Sequence, residues 1–131
     1  MSSIYADPTN PNHAIVTFSG FDSNTLSTPG HVFDVVYDPA TGLATWTNIT
    51  YDLGDQPIND AVLDTDTGTI FVSTDFGVLL LESGTQTWMP AADGMPTAAV
   101  SGLTLARAQH GPAQWVYAAT HGRGAYRLTL K

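Results

Sequence analysis

Apolar residues in this chain fall in short runs, mostly four to seven residues long, rich in Val, Ile, Phe, Tyr and Thr and bounded by Asp, Asn, Gly and Pro. That is the pattern of strands and their turns, and no stretch carries convincing helical spacing. Turn chemistry is dense. Asp7-Pro8 with Asn10-Pro11, Asp38-Pro39 with Thr41-Gly42, the stretch from Asp64 to Gly68, Ser83-Gly84, Asp93-Gly94, and Gly122 with Gly124 supply the preset and positive φ values that hairpins need. The pattern predicts an all-β meander. Val78 to Leu81 is continuously apolar rather than alternating. It therefore predicts a strand covered on both faces, as when small sheets stack face to face around an axis.

The runs also repeat. Trp46 and Trp88 each close a Thr-Trp dipeptide 42 residues apart, a period that signals a repeat architecture. The middle copy reads Ile58 to Leu63, Thr69 to Thr74, Gly77 to Leu81, and Gln86-Thr87-Trp88. The third reads Val100 to Leu105, Trp115 to Thr120 and Gly124 to Leu128, with no fourth run. The first is looser: Ile4 to Ala6, Ala14 to Phe18, His31 to Tyr37, and Ala44 to Trp46. Equivalent positions drift, with Ile58 to Val100 spanning 42 residues and Gly77 to Gly124 spanning 47, and such drift belongs in loops.

These residues resemble the Asp-box (BNR-type) β-propeller repeats of sialidase-like, sortilin-like and xyloglucanase-like proteins, over almost the whole chain. Those repeats carry a Ser/Thr-x-Asp-x-Gly-x-x-Trp turn between the third and fourth strands of a blade. The stretch from Leu81 to Trp88 fits that frame with Ser83 in the Asp place, and Asp38 to Trp46 fits with a longer loop; both are degenerate. Thr74-Asp75-Phe76-Gly77 and Thr120-His121-Gly122-Arg123-Gly124 are similar to the second-to-third strand hairpins of the last two blades, and Asp7 to Pro11 is similar to the turn after an innermost strand. The resemblance implies an incomplete propeller of about two and three-quarter four-stranded antiparallel blades, at approximately 1–52, 53–95 and 96–131. Trp46, Trp88, Gly77 and Gly124 hold structural repeat positions in it.

Closed propellers use about four to eight blades, so this chain alone does not close a ring. Its outer blades should expose apolar faces, and its last blade an unpaired edge. The expected partners are other blades, supplied either by a longer protein of which this is the C-terminal piece or by copies that stack and exchange strands. Met1 reads as a chosen start and Thr129-Leu130-Lys131 as a natural end, which leaves both open.

Composition narrows the classes. An apolar content of 43% with 10% aromatic residues fits one folded domain. The only basic side chains are Arg107, Arg123, Arg127 and Lys131, against eleven Asp and Glu82, for a net charge of −8. An electrostatic grip on nucleic acid or on an anionic membrane is therefore not expected. There is no cysteine, hence no disulfide or thiolate metal site. No apolar stretch has the length of a membrane span. Scarce lysine and abundant Thr, Ser and Asn are a compositional hint of a secreted bacterial β-protein, while the compartment itself is not encoded. Asn48-Ile49-Thr50 matches a glycosylation acceptor, a pattern common by chance.

Candidate chemistry is sparse. Glycosidases set two carboxylates across a cleft, and most aspartates here (Asp7, Asp38, Asp64, Asp66, Asp93) sit at turns, where they bond backbone amides. Asp60, in a predicted innermost strand, and Asp75, in the Thr-Asp-Phe-Gly hairpin, are the catalytic candidates, with structural roles expected even for them. The likeness to xyloglucanases implies catalytic Asp residues from two propellers, more than this chain supplies. The likeness to sialidases implies three spread arginines, whereas Arg107, Arg123 and Arg127 cluster in one blade. His121 and Arg123 form a candidate anion- or sugar-binding pair at a blade end; the alternative is a hairpin whose Arg123 pairs with an Asp of a neighbouring blade. The stretch from Asp64 to Gly68 lacks the glutamate of a calcium loop. His13, His31, His110 and His121 lack mutual ligand spacing, so no metal site or cofactor is read from the sequence. Trp46 and Trp88 should serve packing between blades rather than as sugar platforms. The preferred expectation is a noncatalytic repeat module for assembly or for binding protein or glycan; the alternative is a fragment of a sialidase-like or xyloglucanase-like glycoside hydrolase, its cleft completed elsewhere.

Overall fold

The computed structural model describes residues 1–131 except 25, 28 and 131. It is all-β: eleven strands form three antiparallel sheets, and among the described residues the only helical element is a 3-10 turn at Asp22–Asn24. The first sheet contains β1 (Ser3–Ala6), β2 (His13–Thr17), β3 (Val32–Asp38) and β4 (Leu43–Asn48), in that order. The second contains β5 (Ile58–Asp64), β6 (Thr69–Thr74), β7 (Gly77–Leu81) and β8 (Met89–Pro90). The third is a three-stranded meander of β9 (Val100–Arg107), β10 (Ala113–Thr120) and β11 (Ala125–Thr129). These are two four-stranded blades and a third that lacks its outermost strand, an incomplete propeller.

Pleating explains how the sheets stack, because residues paired across a ladder share a face. In the second sheet, Ala61, Val72 and Leu79 are in register, as are Leu63, Ile70 and Leu81. This face packs on Ile15, Val32, Ile49 and Leu53 of the first blade. The opposite face, carrying Val62, Phe71 and Leu80, packs on Val100, Leu103, Val116, Ala118 and Leu128 of the third. The second sheet is thus a middle layer, and the continuous apolar run in β7 follows from cover on both sides. The sheets approach most closely through their inner strands β1, β5 and β9. That geometry is a fan.

Three of the expected Asx turns form, while Asp66 instead accepts from Arg107 and from the Ala113 amide of the third blade. Asp7 caps Thr9, and Asp38 caps Ala40. Asp64 takes the Asp66 amide and the Thr67 hydroxyl, so the stretch resembling a calcium loop is a hairpin turn. The β6–β7 and β10–β11 hairpins share one device. The Thr74 hydroxyl donates to the Gly77 carbonyl and the Thr120 hydroxyl to the Gly124 carbonyl, with both glycines at positive φ, 141° and 74°. One departure concerns the fourth strand of the second blade. It is Met89–Pro90 rather than Gln86-Thr87-Trp88, since the turn after β7, closed by the Thr85 amide and hydroxyl on the Glu82 carbonyl, delays pairing.

Candidate functional site

The two equivalent tryptophans occupy opposite environments. Trp88 is 8% exposed. Its indole N–H donates to the Ile49 carbonyl at 3.1 Å and its amide to Asp52 Oδ1 at 2.9 Å, both on the segment that leaves the first sheet. It thereby seals the second blade to the one before it. Trp46 is 49% exposed, on the outer flank of the first blade, where the chain supplies no further sheet. It lies opposite Val35 in the β3–β4 ladder, on the face turned away from the second sheet. Val16 and Ile4 share that face through the β1–β2 and β2–β3 registers, as do Phe33 and Tyr37. Phe18, Phe33 and Trp46 stack edge to face across it, with centroids 5.7 and 6.0 Å apart. Ile4, Tyr37 and Trp46 are all exposed. The side chain that should cover a neighbour has none on that flank.

At the other end of the stack, β11 is bonded only to β10. The end of β11 borders a groove of about 540 Å³ with mixed lining, Asp64, Thr69 and Glu82 beside Phe71, Leu80 and Leu130. The outer face of the third sheet is more polar than that of the first. It carries Tyr117 and Arg127, which are register partners, and Trp115, with the Arg127 guanidinium 5.6 Å from the Trp115 ring.

The carboxylate candidates are occupied. Asp60 Oδ1 accepts from Ser3 Oγ at 2.6 Å and from the Ala61 amide at 2.9 Å, while Oδ2 accepts from the Leu103 amide at 2.9 Å. One carboxylate therefore ties together β1, β5 and β9, the inner strands of all three blades. Asp75 is exposed in the β6–β7 turn and accepts from Asn59 Nδ2 at 3.1 Å, and the same amide reaches the Val100 carbonyl. His121 and Arg123 are exposed in the β10–β11 hairpin, held by the bond from the His121 amide to the Ala99 carbonyl. Among the described residues neither side chain has a hydrogen-bond or ion-pair partner. The arginine that does reach an aspartate of the neighbouring blade is Arg107, bonded to Asp66 and to Thr65 Oγ1.

Sequence reasoning missed one cluster. Asp22 from the 3-10 turn, His31 just before β3, and Asp55 from the β4–β5 connection converge at the end of the first sheet. His31 is fully buried. Its Nε2 lies 3.0 Å from Asp55 Oδ1 and 3.6 Å from Asp22 Oδ1, and its Nδ1 lies 3.3 Å from the Phe18 carbonyl. The amides of Gly30 and Asp22 donate to Asp22 Oδ1 and Asp55 Oδ1 respectively, at 2.8 and 2.9 Å. An open depression of about 440 Å³ adjoins the two carboxylates, bordered by Thr50, Tyr51 and Gly54. Gly30 is required here: at φ 128° an added Cβ would stand 2.5 Å from Asn48 Nδ2. The three side chains are 9 and 24 residues apart and sit in three loops, so no local spacing announces the cluster. The two His–carboxylate contacts at this end and the pair around His13 differ in one respect. His13 has a carboxylate on each ring nitrogen, Asp7 at 2.7 Å and Asp34 at 3.1 Å, whereas His31 has a carbonyl on one side and both carboxylates on the other.

No family model matches this chain, no curated protein matches its sequence, and no solved structure matches its fold.

Proposed function

We propose that this chain is a noncatalytic β-propeller repeat module whose work is assembly, completed by further blades of a longer polypeptide or of other copies, with its loop ends free to bind protein or glycan. The observation that carries this reading is the contrast between Trp88, bonded to a preceding blade, and Trp46, its counterpart, half exposed on an aromatic flank. Burying the exposed half of one tryptophan contributes on the order of 2 kcal/mol, and Ile4, Phe33 and Tyr37 extend the same face. The open β11 edge gives the other end of the stack a place for strand addition. The Asp-box likeness of the segments ending at Trp46 and Trp88 supports the same reading. A glycosidase role draws less support, because the Asp60 carboxylate is spent on three hydrogen bonds between strands.

Sedimentation velocity over a wide concentration range tests this, with Trp46→Lys as the variant. Reversible association that Trp46→Lys abolishes, at unchanged melting temperature, supports copies as the completing blades. A monomer that binds a hydrophobic dye through the same flank supports blades from a longer polypeptide. A dye-silent monomer, unaffected by Trp46→Lys, defeats both.

A further inference from the structure

We propose that Asp22, His31 and Asp55 form a binding site for a divalent transition-metal ion of the zinc class, independent of how the propeller is completed. The argument begins with the tautomer of His31. A backbone carbonyl only accepts, so the contact between Nδ1 and the Phe18 carbonyl places the ring proton on Nδ1. In the neutral ring Nε2 is then a lone pair. It faces Asp55 Oδ1 at 3.0 Å and Asp22 Oδ1 at 3.6 Å, so three electron-pair donors converge on one point. With His31 fully buried and the two carboxylates half exposed beside it, a cation held between the donors offsets the repulsion of the lone pair against the carboxylate oxygens. A divalent cation meets the requirement for both carboxylates at once.

The surroundings match what a metal-binding histidine needs. Such a ring donates its second N–H to a carbonyl or carboxylate, which fixes the tautomer and raises the basicity of the ligating nitrogen; Phe18 supplies that acceptor. The ligand carboxylates are themselves held, by the Gly30 and Asp22 amides. Bonds of about 2.0–2.1 Å in a tetrahedron set neighbouring donor atoms roughly 3.3 Å apart, and the observed separations from Nε2 lie on either side of that. One imidazole with two carboxylates suits zinc and its first-row neighbours better than calcium or magnesium, which prefer all-oxygen sites. Three protein ligands leave a tetrahedral ion one position to fill. The depression beside Asp22 and Asp55 opens that position to solvent, so the site would hold a water or take a donor atom from a bound partner.

Isothermal titration of the chelator-treated full chain with Zn²⁺ tests the site, with Ca²⁺ as comparison and Co²⁺ as a spectroscopic probe. The expected result is one equivalent of Zn²⁺ bound, no comparable Ca²⁺ binding, and a visible Co²⁺ spectrum of tetrahedral intensity. With free Zn²⁺ a hundredfold above Kd, the melting temperature rises by on the order of 10 °C. Because His31 is buried and its replacement is liable to unfold the first sheet, the informative variants are the more accessible Asp22→Asn and Asp55→Asn. Each should weaken binding at least tenfold, while His13→Gln leaves it unchanged. Absence of Zn²⁺ binding to the folded chain, or binding indifferent to both Asp variants, would overturn the proposal.

Discussion

Replacing Asp60 with Asn probes the hub of the fan and separates a structural carboxylate from a catalytic one. The side chain keeps its shape but exchanges one oxygen for an NH₂ group. If the amide oxygen stays on Ser3 Oγ and the Ala61 amide, the new NH₂ faces the Leu103 N–H, a donor against a donor; if the amide flips, Ser3 and Ala61 lose their acceptor instead. Either way at least one strand amide at the interface between blades is left unsatisfied, which costs about 1–3 kcal/mol, and the charge assistance to the remaining bonds is lost as well. For a domain of this length a loss of 1 kcal/mol lowers the melting temperature by about 4 °C. Asp60→Asn should therefore melt roughly 4 to 12 °C below the parent. Asp60→Ala should fall further, since all three donors lose their partner. The assay is thermal unfolding followed by tryptophan fluorescence, because Trp88 reports on the seam between the first two blades. An Asn variant that melts within about 2 °C of the parent, a fall well under that expected for a lost buried acceptor, would refute the hub. Loss of a glycan-hydrolysing activity at unchanged stability would go further and assign Asp60 to catalysis.

Two further outcomes follow from the geometry. Trp88→Phe keeps an aromatic ring but leaves the Ile49 carbonyl without its indole donor, and should cost about 1–3 kcal/mol, measured by urea unfolding; a neutral result would mean that the seam is sealed by packing alone. The Asp7–His13–Asp34 bridge makes stability depend on pH from both sides. The hydrogen bond to His13 is the main cause that holds the Asp7 carboxyl down at about 2. Burial lowers the proton affinity of His13, but hydrogen bonding to Asp7 and the charge of Asp34 outweigh it, so the ring titrates above its ordinary value. The Asp7 contribution is present above the ordinary carboxylate range and fades as the pH falls toward 2; the His13 contribution is complete below its ordinary value and fades as the pH rises through the raised one. Their overlap lies between about pH 5 and 6.5, worth on the order of 1 kcal/mol after solvent screening. Melting temperatures of the parent and His13→Gln across that range should diverge most inside the window, and a constant difference would remove the bridge as the cause.

Strands and turns were legible because each local signal agreed with its neighbours. β-branched runs such as Ile58 to Leu63 are bounded by Asx turns, and the unbroken run in β7 marked a layer covered twice. The position of β8 was not legible, because a two-residue strand after a capped turn carries no periodicity. The role of Asp60 lay beyond sequence reasoning for a different reason: its partners Ser3 and Leu103 come from strands 57 and 43 residues away, and a lone Asp in a strand reads equally as catalytic or as a tie. His31 was visible as a residue but not as a site. Its neighbours Asp22 and Asp55 reach it because three loops meet, and the spacings record none of it. Trp46 and Trp88 looked alike in sequence because the repeat is alike; what differs is the presence of a blade next door.

The two ends of the stack are dissimilar surfaces, an aromatic flank on the first sheet and a cation-bearing, open-edged flank on the third. Copies that joined through them would do so head to tail, so each addition would recreate the surface that the next one needs. Whether such growth stops depends on the angle through which one protomer turns relative to the last. Two chains would contribute six sheets, inside the range of about four to eight at which propellers close, and a rotation that misses closure would yield a fibre in place of a ring.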